Sequence, residues 1–184
     1  MKTYIVEPES IQRWHAKPGC RILVMGGGAL RFDYPRHWLV CADSKYVRLT
    51  DREPPADRCG LMASWRHLSL AMAAMPMEYL LHEVTMQESD TRPIVRRGAI
   101  IPIFRHPLEA AWRQMVFIDE LKGREVCTRV CFARGGRTLA TIVFDFWAED
   151  EVRLHSAFTT MMDTLAVGDY IDDPITGRRR EQRG

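Results

Sequence analysis

The chain has 184 residues, of which 46% are hydrophobic and 27% charged, and its formal net charge is +2. This length suits one globular domain with a buried core, and the composition excludes a disordered or collagen-like chain. No apolar run reaches the roughly 20 residues that a membrane-spanning helix needs. The first residues also lack the apolar segment of a secretory signal. We therefore expect a cytoplasmic protein with no membrane partner.

The basic residues are scattered along the chain, except for Arg178–Arg180 near its end. Proteins that bind nucleic acids usually gather positive charge on one face or stripe. The pattern therefore argues against a nucleic-acid partner. An odd number of cysteines at irregular spacing predicts reduced thiols rather than a disulfide framework; they are Cys20, Cys41, Cys59, Cys127 and Cys131.

The chain divides into an irregular lead-in over residues 1–19, a single domain over 20–171 and a tail over 172–184. Within the domain, alternating or continuous apolar runs predict strands, and a change of period at Pro76 predicts a helix up to Glu88. After it, Pro102 favours an edge position or a bulge in the extended run that contains it. The extended runs are Arg21–Met25, Ala29–Tyr34, Trp38–Cys41, Lys45–Leu49, Gly60–Leu68, Ile94–Phe104 and Ala111–Asp119.

Two long β-rich runs, Glu125–Ala133 and Thr138–Trp147, flank the pair Gly135-Gly136. Such a pair predicts a two-residue type I′ hairpin, because both central residues of that turn have positive φ. Neither face of this hairpin is purely polar, so we expect cover on both sides. One face carries Val126, Thr128, Val130, Phe132, Leu139, Thr141, Val143, Asp145 and Trp147, and the other Cys127, Arg129, Cys131, Ala140, Ile142, Phe144 and Phe146.

A second helix is predicted after the hairpin, because the acidic run Glu149–Glu151 favours a helix start. Its apolar stripe is predicted as Val152, His155, Phe158, Met162 and Leu165, at steps of three and four residues. A short strand, Val167–Ile171, follows. Two helices can cover both faces of one sheet, so these elements predict an α+β fold: an antiparallel β-sheet sandwiched between helices.

The block LRFDYPRHWLV, residues 30–40, resembles the aromatic-x-Tyr-Pro-x-x-Trp strand that opens PsbP-like and Mog-type (DcrB-like) domains. The paired long strands, late helix and short final strand are also similar, so the resemblance covers roughly residues 20–171. It implies an α/β/α sandwich around an antiparallel sheet. Members include an extrinsic photosystem II subunit, a Ran-binding protein, lipoproteins and effector-chaperoning adaptors. The resemblance therefore implies a protein partner rather than substrate turnover.

Cys127 and Cys131 have the CxxxC spacing of a redox pair or metal site. On a strand, four steps of ~3.3 Å separate their Cα atoms by about 13 Å, whereas disulfide partners lie within ~7 Å. We interpret both as small core residues.

Met72, Met75 and Met77 have a spacing that copper(I) sites can use. We interpret them as core filling, since the flexible thioether suits irregular gaps. Met62 and Met86, on either side, belong to the same interpretation.

The histidines are dispersed, and the HEVTM text that contains His82 is not the HExxH pattern of zinc enzymes. His155 is interpreted as a boundary residue of the second helix. Gly26–Gly28 follows a strand, as phosphate-binding loops do, but such a loop must open a helix and here another strand comes next. The three glycines are therefore interpreted as a hairpin turn.

Asp145 is the polar residue of the hairpin that most invites a functional interpretation. The structural alternative is a salt bridge to Arg124, with Arg124 stacked on Trp147. Tyr34 and Trp38 are interpreted as core anchors of the opening strand.

No residue is assigned as catalytic, metal-binding or cofactor-binding, and no cofactor is expected. The first hypothesis is a non-catalytic protein-binding domain, possibly an adaptor or chaperone. The alternative is a small enzyme or ligand-binding protein whose site is built from dispersed residues such as Asp145, His67 and Arg129. A metal protein that uses the methionines is a third hypothesis.

Overall fold

Residues 3–6, 15–87, 93–173 and 178–179 are described by the structure, a computed structural model. They form an antiparallel α+β fold in which every paired strand runs antiparallel to its neighbour. The strands are β1 Thr3–Val6, β2 Cys20–Met25, β3 Leu30–Pro35, β4 Leu39–Ala42, β5 Val47–Thr50, β6 Cys59–His67, β7 Ile94–Arg97, β8 Ile101–Arg105, β9 Leu108–Asp119, β10 Arg124–Gly135, β11 Thr138–Trp147, β12 Ala166–Val167, β13 Ile171–Asp173 and β14 Arg178–Arg179. The helices are α1 Leu70–Ala73, α2 Met77–Gln87 and α3 Glu151–Thr164, the last preceded by a 3-10 turn, Ala148–Asp150.

The large sheet has the strand order β4-β5-β6-β11-β10-β9-β7, and β8 also pairs with β9. Both β7 and β8 lie along the outer side of β9, so Pro102 in β8 occupies the edge position that its missing N–H predicts. A smaller sheet has the order β1-β2-β3-β12, and β13 pairs with β14. The central meander β9-β10-β11 thus organises the whole domain.

The two faces of the large sheet are covered differently. On one face Met115, Phe132 and Leu139 are buried in a cluster with Met77 and Leu81 of α2. On the other face the core combines the large sheet with residues of α3 and of strands β2 and β3 of the small sheet. The expected sandwich between helices is therefore only partly right. The opening strands form a second sheet, and this sheet shares with α3 the cover of that face.

The pairing register of the hairpin differs from the prediction by two residues: each residue of β10 pairs with a residue of β11 two positions further along the chain than a Gly135-Gly136 loop would give. Gly135 pairs with Thr138, so Gly136 and Arg137 form the loop. Gly136 alone of these two has a positive φ, 59°, which is the pattern of a type II′ turn rather than type I′. Because the shift is an even number, the predicted division of side chains between the two faces is correct.

The predicted stripe of α3 was wrong in its first turn. Val152 is 90% exposed and His155 is also exposed. The buried residues of the helix are Leu154, Phe158, Met161 and Met162. The ring of Phe158 packs edge-on against Trp112 at 5.0 Å and sets which side of the helix faces the sheet. His155 accordingly faces outward rather than lying on the core boundary.

The lead-in is not wholly irregular, because Thr3–Val6 forms β1 against β2. Pairing with a neighbouring strand outweighs the weak local signal of four residues. Residues 7–14 lie outside the described residues. In the predicted tail, β13 extends to Asp173 and pairs with Arg178–Arg179, whereas residues 174–177 and 180–184 lie outside the described residues.

Candidate functional site

Helix α2 covers only part of its face of the large sheet. It packs over β9 and β10, and the part of the face formed by β5, β6 and β11 is left open. Arg48, Met62 and Val143 are direct neighbours across these three strands and point to the same side. The Met62 side chain is 43% exposed, so an apolar floor reaches the surface beside the helix.

At one end of this open face lies a cleft of about 610 Å³, here the first lobe. Its walls are the segment 51–58 and the turn between β9 and β10. The Arg48 guanidinium lies beside Gly60, in ordinary van der Waals range of where a Cβ of residue 60 would stand (3.8 Å). The lining residues are Tyr46, Arg48, Pro54, Pro55, Asp57, Arg58, Cys59, Gly60, Leu61, Met62, Asp119, Lys122, Val126, Asp145, Phe146 and Trp147.

A second lobe of about 470 Å³ continues the first toward β7. Asp119, Val126 and Asp145 line both lobes, so the two form one groove across the ends of β6, β11, β10 and β9. The second lobe is lined by Pro93, Phe117, Ile118, Asp119, Glu120, Leu121, Val126 and Asp145.

Ion pairs fasten one wall of the groove to the start of α3. Arg58 donates from Nε to Asp150 (2.7 Å) and from Nη2 to Glu149 (2.6 Å). Arg153 donates from Nε to the same Asp150 (3.0 Å) and from Nη2 to Asp51 (3.1 Å). These five residues, the anchoring network, connect segment 51–58 to the 3-10 turn and α3. The wall therefore has a defined position within the fold.

Asp51 has the most deeply buried side chain of the anchoring network, 2% exposed against 10% for Asp150. Desolvation by burial raises the pKa of this carboxyl. The backbone N–H groups of Arg58 and Cys59 and the Arg153 guanidinium outweigh that effect, and the pKa lies below its usual value. Asp51 is thus a charged anchor at neutral pH.

Asp145 lies on the groove floor, where its Oδ1 accepts a hydrogen bond from the Thr128 hydroxyl (2.6 Å). The expected stacking of Arg124 on Trp147 is present, at 4.2 Å from the ring centroid. Arg124 also donates to Glu149 (2.5 Å) and so extends the charged wall.

The dispersed residues of the alternative hypothesis do not converge on one site. Arg129 pairs with Phe144 and Asp145 pairs with Thr128, so the two side chains leave opposite faces of the sheet. His67 lies at the far end of β6, six residues or about 20 Å from Leu61, the neighbour of Phe144.

Arg129 is instead a core residue, 3% exposed, between the rings of Phe146 and Phe158. It donates to Gln114 (2.7 Å) and to Glu151 (3.1 Å), and these bonds connect the sheet to the first turn of α3. Arg129 therefore has a structural role, because its charge is satisfied mainly by neighbours within the fold.

The other sequence candidates lie mainly in the core. Cys127 and Cys131 are fully buried, and burial raises the pKa of Cys127 to about 11 and of Cys131 to about 12, so both remain inert thiols at neutral pH. Gly26–Gly28 form the predicted hairpin turn with positive φ. Tyr34 and Trp38 are buried as predicted.

The methionines have mixed environments. Met77 is buried and Met72 packs against the cluster beneath α2, as predicted for core filling. Met75 is 38% exposed, and Met62 belongs to the groove floor. Within the described ranges, no group of three or more His, Cys, Asp or Glu side chains is arranged to hold a metal ion. In that same part of the chain, no helix is both long and apolar enough to span a membrane.

Sequence reasoning found Asp145 and Trp147 but missed the groove. The alternation along β10 and β11 gave a signal, because polar Thr128 and Asp145 interrupt an apolar face. The two walls come from residues about 60 positions apart along the chain, and only the pairing of β6 with β11 brings them together.

The fold is that of PsbP/Mog-like domains, as the resemblance implied. The chain superposes on cyanobacterial PsbP (CyanoP) of Synechocystis sp. with a TM-score of 0.58 and 9% identity, over 83% of this chain and 94% of that one. It superposes on the Ran-binding protein Mog1p of Saccharomyces cerevisiae with a TM-score of 0.53 and 8% identity, over 80% and 95% of the two chains. At such identities the likeness concerns the fold.

Closer relatives define the family. The Alr1449 family model matches residues 21–171. The uncharacterized protein alr1449 of Nostoc sp. is 33% identical over 167 residues, which are 90% of this chain and 86% of that protein. The chain belongs to the Alr1449 family.

Proposed function

We propose that this protein is a non-catalytic protein-binding domain that works in the cytoplasm as an adaptor or chaperone, and that the groove is its binding surface. One observation carries the proposal: α2 leaves part of the sheet face open, and an apolar floor with charged walls lies there. Exposed apolar side chains line both lobes: Tyr46 and Met62 (38% and 43% exposed) in the first, and Ile118 and Leu121 (38% and 98% exposed) in the second. Accessible apolar area rimmed by polar groups is typical of protein interaction sites.

The shape of the groove favours a polypeptide over a small molecule. Small-molecule sites are clefts or cavities that bury 70–90% or more of the ligand surface. Here the two lobes lie side by side along the sheet surface and share Asp119, Val126 and Asp145. A long, open groove of this kind matches a chain segment lying across it. Mog1p, which has the same fold, is a Ran-binding protein, and this agrees with a protein partner.

Site-specific photocrosslinking tests the proposal. A benzophenone amino acid replaces Met62 in the groove and, as a matched control, Phe104, which is 68% exposed on edge strand β8. Irradiation in cells of the native organism should join discrete proteins to the Met62 variant and not to the Phe104 variant. Mass spectrometry then identifies them, and excess wild-type protein should suppress the adducts in a lysate.

Two results would contradict the proposal. One is the same set of adducts at both positions, which would mean unspecific contact. The other is no adduct at Met62 together with a small molecule that co-purifies with the protein and is displaced by mutation of the groove. The second result would support the ligand-binding alternative.

A further inference from the structure

We infer that the groove binds an extended segment of a partner protein and takes a lysine or arginine side chain of that segment into its second lobe. The inference rests on the proposed function and adds the chemistry of the partner. It follows from the charges that line each lobe, the use of those charges within the fold, and the length of the groove.

The second lobe is acidic with an apolar lining. Three carboxylates, Asp119, Glu120 and Asp145, line it, and within the described residues no lysine or arginine does. Phe117 and Val126 supply apolar contact beside them. Lysine and arginine side chains complement this lining, because the aliphatic stem packs on apolar surface and the head is cationic. A basic side chain is therefore the complementary occupant.

The first lobe contains cations, but each of them has a partner in the fold. Arg48 lies 3.3 Å from Asp57. Arg58 is bonded to two carboxylates of the anchoring network. Lys122 lies over the Trp147 ring at 4.9 Å. Arg48 and Arg58 consequently offer little positive charge to a ligand, whereas Lys122 keeps its charge at the edge of the first lobe.

Asp119 differs from these cations. The hydrogen bonds of its Oδ1 come from the backbone N–H groups of Leu121 and Lys122, in its own turn. No cation of the described ranges forms an ion pair with it. Negative charge at the junction of the two lobes is therefore available to a cationic ligand, which gives the groove electrostatic preference as well as shape.

The dimensions indicate how much of the partner is bound. From β5 to β9 the groove crosses four strand spacings, which at ~4.8 Å each is about 19 Å. An extended chain advances ~3.3 Å per residue, so about six residues span it.

A library of random hexapeptides displayed on phage and selected on the full chain tests the inference. Selected peptides should carry a lysine or arginine flanked by apolar residues. Affinities are then measured by fluorescence anisotropy with synthetic peptides. Asp119→Asn should weaken binding of the basic peptides about tenfold, and higher salt should weaken binding to the wild type.

The Asp119→Asn variant retains the Oδ1 acceptor for the N–H groups of Leu121 and Lys122, and thermal unfolding checks that its fold is kept. Glu83→Gln, on the exposed side of α2, removes the same charge outside the groove and should leave the affinity unchanged. A lysine-to-alanine peptide should lose binding to the wild type.

Several outcomes would overturn the inference. Selection of acidic or purely apolar peptides would overturn the preference for a basic side chain. The proposed function would remain intact in that case if Met62 still forms protein adducts. Basic peptides that bind the wild type and Asp119→Asn equally would also overturn it. Peptides that bind Arg92→Ala but not the wild type would show that the occupant is the chain's own Arg92, one residue before Pro93. If no peptide is selected and Met62 forms no adduct, both proposals are contradicted.

Discussion

The two ends of the β10–β11 hairpin are built in opposite ways. At the closed end, near its turn, backbone meets backbone: a Cβ added to Gly135 would stand 1.7 Å from the Val167 carbonyl oxygen, and one added to Gly28 would stand 2.2 Å from that of Asp169. At the open end, near Val126 and Trp147, the same strands border the groove. At Gly135 and Gly28 the closed end has no room for a side chain, whereas the open end borders the groove.

Different forces hold these two ends together. Close packing of glycines fixes the closed end, where the tolerance is a fraction of an ångström. The anchoring network fixes the open end, where charged side chains reach across several ångströms and leave space between the walls. Substitutions at the closed end should therefore act on stability, whereas those at the open end should act mainly on binding. The following variants test that division.

Gly135→Ala should have the largest effect. The new methyl group would overlap the backbone of β12, which cannot move like the end of a flexible side chain. We expect a loss of about 3 kcal/mol or more in the free energy of unfolding, at the upper end for overpacked sites. Urea denaturation followed by circular dichroism measures it.

Gly123→Ala, in the turn between β9 and β10, is the control at the open end. Its φ is +61° but no atom lies within 4 Å of the added Cβ, so only backbone strain of about 1 kcal/mol is expected. Equal losses for the two glycines would mean that close packing does not distinguish the closed end.

Asp51→Asn should be next, since it removes the buried charge of the anchoring network. The carboxylate accepts from Arg153 and from the N–H groups of Arg58 and Cys59, so we expect a loss of about 2 kcal/mol at pH 7. Because its pKa is lowered in the folded state, this stabilisation is complete above the unfolded value, about 3.9, and disappears as the pH falls through the folded value.

Denaturant titrations of wild type and Asp51→Asn between pH 7 and pH 3 check this expectation. The difference in free energy should stay constant down to about pH 5 and shrink below about pH 4. Glu83→Gln should lie within about 0.5 kcal/mol of wild type at every pH, as an exposed surface change. If the loss of unfolding free energy in Asp51→Asn grew toward pH 3, the pKa of Asp51 could not be lowered in the folded state.

The contrast between the ends also explains what the sequence could predict. Local signals sufficed for most of the strands, both main helices and the Tyr34 and Trp38 anchors, because alternation and helical period depend on neighbouring residues. The turn register depends on Gly135, which must be glycine because β12, about thirty residues later in the chain, packs against its backbone. The residues of the turn alone do not reveal that contact. The groove likewise depends on Met62, Lys122 and Asp145 meeting through the pairing of distant strands.

Asp33→Asn should act in the opposite direction from Asp51→Asn. Asp33 is 4% exposed in β3, toward the closed end, and burial raises its pKa although the Lys17 N–H donates to it (2.7 Å). A raised pKa means that its contribution to stability is present below the unfolded value and is lost as the pH rises through the folded one. At pH 7 the variant should equal or exceed wild type by up to about 1 kcal/mol.

The same denaturant titration measures Asp33→Asn. Its advantage should vanish below about pH 4, where both forms are neutral at this position. A loss of 2 kcal/mol or more at pH 7 would mean that the carboxylate charge stabilises this part of the fold, as it does at Asp51, and the two ends would not differ in their use of charge.

Lys122→Ala should have the smallest effect on stability and a distinctive effect on binding. Lys122 lies over Trp147 in an exposed turn, an arrangement that contributes about 0.5 kcal/mol, and Arg124 stays over the same ring at 4.2 Å. Its removal also takes one positive charge from the groove, so basic hexapeptides should bind about two- to threefold more tightly in anisotropy titrations. Weaker binding would make Lys122 a contact of the partner and would contradict the preference for cations. A gain in affinity with little change in stability would separate the two properties at a single residue of the open end, which no substitution at Gly135 can do.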